Sequence, residues 1–75
     1  MTEVELGKEL RRMYEKGVAT KEQTTMIHLF AIKYAEEIRK NKYIPRNILK
    51  CAEMAESYQV EINKGIKLDK YVEVK

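Results

Sequence analysis

Ile44-Pro-Arg-Asn-Ile-Leu-Lys-Cys-Ala-Glu-Met-Ala-Glu-Ser-Tyr-Gln-Val-Glu-Ile-Asn-Lys-Gly-Ile-Lys-Leu68 is the stretch that decides the fold. Pro45 suits the first turn of a helix, because its missing N–H would find no intrahelical partner there and its φ is already helical. Ile48, Leu49 and Ala52 then share one face of that short helix, which runs from Pro45 to about Ala52. A break follows near Glu53 to Ser57. Beyond it Tyr58, Ile62, Gly65 and Ile66 line one face of a second helix, from about Ser57 to Lys64. Two short apolar-faced helices joined by a tight turn form a helix–turn–helix unit. The turn position that usually carries glycine falls on Glu53, while Gly65 either ends the second helix or permits close packing inside a longer one.

Upstream of this unit the periodicity predicts two longer helices. Thr2 followed by Glu5 is a capping box, in which the hydroxyl serves one orphan N–H and the carboxylate reaches back to another. Leu6, Leu10, Met13 and Tyr14 make a helical stripe, and Gly17 offers a left-handed stop, so helix one spans about Glu3 to Lys16. Thr20 with Gln23 repeats the capping-box pattern and starts helix two, which continues to about Lys40 or Asn41. Its core face is wide: Met26, Ile27, Phe30, Ala31, Tyr34, Ala35 and Ile38.

Leu29 and Ile32 point away from that face, toward His28, Glu36 and Arg39. A second apolar strip on so short a chain reads as a partner surface, most simply a homodimer contact. The competing reading has the terminal segment fold over it. In the tail, Ile66 and Leu68 alternate like a strand, as do Val72 and Val74, which favours a short strand or extended arm from about Tyr71. The expected architecture is all-α: a small bundle of about four helices containing a helix–turn–helix, as one domain over residues 1–75.

Seventy-five residues can bury only a modest core, so oligomerisation would add stability. No apolar run approaches the roughly 18–20 residues of a spanning helix, and the acidic, amphipathic start argues against a secretory signal. Cys51 is the only cysteine, which excludes an intrachain disulfide and fits a reducing cytoplasm. No cofactor or metal is expected. The net charge is +3, and its distribution says more than its size. From Arg39 to Lys50 the chain carries Arg39, Lys40, Lys42, Arg46 and Lys50 with no acid among them. The first 23 residues balance their charges. The positive excess therefore brackets the helix–turn–helix, as phosphate contacts require.

Catalysis finds little support. His28 and Cys51 offer an imidazole and a thiol, but no third orienting group and no Gly-rich phosphate loop accompany them. A lone cysteine on a short helix is usually a small core filler. His28 reads as a partly exposed surface or interface residue, and the adjacent carboxylates of Glu36 and Glu37 diverge on their helix. The second helix of the unit is more telling. With Tyr58, Ile62 and Ile66 inward, its outward face carries Ser57, Val60, Asn63, Lys64 and Lys67, with Gln59 at the edge. Asn and Gln pair with adenine, Lys reaches guanine or phosphate, and Val60 could meet a thymine methyl. Ser57 and the first N–H groups could hold a phosphate. Against this, Glu53, Glu56 and Glu61 repel phosphates unless they face away or accept from cytosine.

The segment from Ala52 to Gly65 is similar to the repressor-like helix–turn–helix pattern of an alanine, a turn, an inward aliphatic and a closing glycine. The whole chain resembles a small bacterial and phage family of stand-alone helix–turn–helix-like proteins. The likeness rests on Leu6 to Tyr14, Met26 to Ala35 and Glu61 to Leu68. It implies a prokaryotic protein that binds double-stranded DNA. The expected function is thus a small, cytoplasmic, homodimeric DNA-binding regulator. Its base contacts would come from Ser57, Gln59, Val60, Asn63, Lys64 and Lys67, and its phosphate contacts from Arg39, Lys42, Arg46 and Lys50. The alternative is a helical adaptor without DNA binding, docking a protein through Leu29, Ile32 and the acidic residues of the last helix.

Overall fold

A computed structural model describes residues 1–72, and four α-helices account for most of them: α1 (Glu3–Thr20), α2 (Gln23–Asn41), α3 (Pro45–Cys51) and α4 (Gln59–Leu68). A single 3-10 turn, Glu56–Tyr58, leads into α4. No strand occurs among the described residues. The all-α bundle read from the sequence is the fold.

The core is one cluster fed by every helix. Leu6, Leu10 and Met13 enter from α1, and Ile27, Phe30, Ala31 and Ile38 from α2. Ile48, Leu49 and Ala52 come from α3 and its cap, and Ile62 from α4. Met26, Tyr34, Tyr58 and Ile66 lie half-buried against it. Each of the large aliphatics and Phe30 contributes about 1.5–3 kcal/mol by leaving water. α2 is central, packing on both α1 and α4, while α3 packs mainly on α1.

The Thr2–Glu5 capping box is present in both directions. The hydrogen bond from the Thr2 backbone holds the Glu5 carboxyl below its usual range. Two expected boundaries differ. Gly17 does not stop α1, which runs one turn further and ends where Lys21 turns left-handed at φ 58°. A Cβ on Gly17 would stand 2.7 Å from Met26 Cγ and 2.9 Å from the Glu22 carbonyl oxygen, so the position is glycine because the start of α2 crosses it. Nor does Thr20 cap α2: its hydroxyl donates to the Gly17 carbonyl, and Glu22 precedes the helix without a side-chain cap.

The end of the chain also departs from expectation. α4 extends to Leu68, with Gly65 inside it, and the Tyr71 and Val72 N–H groups turn back to the Leu68 carbonyl. Tyr71 therefore sits in a turn, not a strand; residues 73–75 of the expected arm lie outside the described residues.

Candidate nucleic-acid interface

The turn between α3 and α4 is fixed from outside itself. Glu53 adopts φ 57°, the left-handed conformation that its glycine-like place in the motif anticipates. The Met54 N–H closes the end of α3 on the Leu49 carbonyl at 2.9 Å. From α1, Arg11 donates to the Glu53 carbonyl oxygen at 3.4 Å. The Tyr14 and Tyr58 hydroxyls share a 3.3 Å hydrogen bond beneath edge-on rings 5.8 Å apart. That hydrogen bond raises the Tyr58 pKa. A turn held at both its carbonyl and its exit aims the helix that follows.

α4 is then seated along α2. In the middle of the seam a Cβ on Gly65 would lie 2.4 Å from the Ala31 Cβ and 2.8 Å from the His28 carbonyl oxygen, so only glycine lets the two backbones come this close. A polar pair closes each end. His28 Nε2 donates to Glu61 Oε2 at 2.5 Å, and Arg39 donates to Asp69 Oδ2 at 2.7 Å. The imidazole hydrogen bond is the main reason the Glu61 carboxyl lies below its ordinary pKa, with Lys64 adding to it. Glu61 therefore turns toward α2 and away from the outward face, which removes one of the three charges counted against DNA.

The seam also accounts for the second apolar strip. Ile32 lies one turn beyond His28 on the side of α2 that meets α4, and it is only 9% exposed. Leu29 is half-buried against the core. The strip expected to be an open homodimer contact is largely closed to solvent within the single chain, with His28 beside it paired to Glu61 of α4 and Arg39 to Asp69 just past the end of α4. Arg39, expected on phosphate, is held by Asp69.

On α4 the exposed residues are Val60 (57%), Asn63, Lys64, Lys67 and Leu68 (41%). Lys64 Nζ is 3.5 Å from Glu61 Oε1 but remains largely in solvent. Gln59 is half-buried. Ser57 lies in the 3-10 turn and caps nothing, since Tyr58 stands immediately before α4. Lys42 is the left-handed cap of α2, and Arg46 and Lys50 stand one turn apart on α3; all three are exposed. Among the described residues none of these three makes an ion pair.

Sequence reasoning missed two outward residues. Leu68 and Tyr71, the latter 81% exposed, extend the surface beyond Lys67. The helical phase of Val60, Lys64 and Lys67 points to them once α4 continues past Gly65. Cys51 is exposed, contrary to its expected role as core filler, although its backbone and Cβ pack so closely on Gly7 of α1 that a Cβ there would stand 2.4 Å from the Cys51 Cβ. His28 and Cys51 lie on different seams and make no pair. Among the described residues no cluster of His, Cys, Asp and Glu could hold a metal ion, and no helix is long and apolar enough to cross a membrane.

A family model described as an HTH-like domain matches residues 2–75, so the chain belongs to that family. No curated protein and no solved structure matches it.

Proposed function

We propose that this HTH-like protein binds double-stranded DNA with α4 in the major groove, as a small regulator in a prokaryotic cytoplasm that carries out no catalysis. The observation that carries the reading is the outward face of α4. Val60, Asn63, Lys64 and Lys67 are exposed, whereas the one carboxylate within the helix, Glu61, is drawn toward His28. Lys42 stands just before the unit and Arg46 and Lys50 on its first helix, their charges uncommitted among the described residues, in keeping with a role on the phosphate backbone. The contacts of Arg11, Tyr14 and Gly65 set the direction of α4, which suits base recognition.

Titration of a mixed duplex pool at two salt concentrations tests this. Binding should weaken steeply with salt, and Arg46→Ala should weaken all duplexes alike while lowering the salt slope by roughly one unit. An affinity for duplex that ignores salt, or a slope untouched by Arg46→Ala, counts against it.

A protein-docking role has one observation in its favour, the exposed Leu68, Tyr71 and Val72 at the end of α4. Leu29 and Ile32 add little surface to it, since Ile32 is 9% exposed and Leu29 is half-buried against the core. A chain that ignores duplex at low salt would select this second reading.

A further inference from the structure

The bases that α4 reads can be narrowed from what its outward face contains and lacks. Guanine is read by arginine or lysine on O6 and N7, more firmly by the planar arginine fork than by the single ammonium of lysine, and cytosine by a carboxylate that accepts from N4. Adenine suits Asn on N6 and N7, and thymine suits an apolar contact with its 5-methyl group. α4 contains no arginine, and Arg39 beside it is bound to Asp69. Its single carboxylate, Glu61, is held by His28 and Lys64. The best guanine and cytosine readers are therefore absent from the face or already engaged.

What remains is an adenine reader, an apolar contact and two lysines. Val60 and Asn63 lie about 4.5 Å apart along the helix axis and about 60° apart around it, close enough to address one base pair or its neighbour. An A·T pair presents the adenine N6 and N7 and the thymine methyl on the same groove edge. We infer that α4 reads A·T pairs, with Val60 on the thymine 5-methyl group and Asn63 on the adenine N6 and N7 atoms. Lys64 and Lys67 add charge. The inference rests on the DNA-binding reading and adds to it a base class and a residue for each base.

Three duplexes of equal length test it, one of A·T pairs alone, one with uracil replacing every thymine, and one of G·C pairs alone. In the first two every register offers the same pairs, so no operator need be known. The A·T duplex should bind tightest. Uracil should weaken binding roughly fourfold, the factor for one buried methyl group. Val60→Ser, at an exposed position and with similar helix propensity, should abolish the thymine–uracil difference while the melting temperature holds. Asn63→Ala should weaken the A·T and uracil duplexes alike, by about tenfold. Equal binding to all three duplexes, preference for G·C, or a thymine–uracil difference that survives Val60→Ser overturns the inference and leaves DNA binding standing. Failure to bind any of the three at low salt overturns both.

Discussion

Glu61 shows how one side chain alters the meaning of a helix. In sequence it is a negative charge amid groove-facing residues; in the fold its carboxylate accepts from His28 and neighbours Lys64. Nothing in the local pattern distinguishes those roles, because the partner lies 33 residues away. The depressed Glu61 pKa carries a stability consequence with a definite sign. A carboxylate whose folded pKa lies below the unfolded value stabilises fully above the unfolded value, about 4.3. That stability is lost as pH falls through the folded value. Glu61→Gln keeps the shape without the charge, so its urea midpoint should fall less steeply than wild type below about pH 4.3. The slope that remains belongs to Glu5 and Glu9, which are also depressed, by Thr2 and Arg12 respectively. Parallel acid limbs for the two proteins would show that the His28 contact does not form in solution.

At the scale of elements, glycine and the turns have exchanged places. All three glycines lie inside helices, at Gly7, Gly17 and Gly65, each where neighbouring atoms leave no room for a Cβ. The left-handed residues that end α1, α2 and α3 are Lys21, Lys42 and Glu53. This is why Gly17 misleads a reader who expects glycine at helix ends, while Glu53 was legible from the spacing of the motif. Helix existence and phase were also legible, because Leu6, Leu10, Phe30, Ile48 and Ile62 are buried where their periodicity put them. The tightness of α2 against α4 was not, since close approach leaves no period in the sequence. Gly65→Ala tests it. A free helix would gain up to about 1 kcal/mol from the exchange. Here the new methyl meets the Ala31 Cβ and a backbone oxygen, neither of which can swing aside. Overpacking of that kind costs about 1–3 kcal/mol. The melting temperature should drop by roughly 5 °C or more. An unchanged or higher value would mean the two helices stand further apart.

For the molecule as a whole, the basic segment from Lys42 to Lys50 and the outward residues Val60, Asn63, Lys64 and Lys67 were legible as candidates. Their surroundings were not: Arg39 is paired with Asp69, Ser57 caps nothing, and Ile32 is buried within the chain. Each of these depends on which helix packs against which, and α2 packs on both α1 and α4. The surviving candidates still gather on one unit, α3, its turn and α4, and at the cap that leads into it. Backbone amide shifts of the labelled protein, followed as a duplex is added at low salt, locate the contact surface without relying on any substitution. Shifts concentrated over Lys42 to Lys50 and on Val60, Asn63, Lys64 and Lys67, with Arg12 and Lys16 of α1 unmoved, are the predicted result; shifts confined to α1, or none at all, would contradict DNA binding through α4.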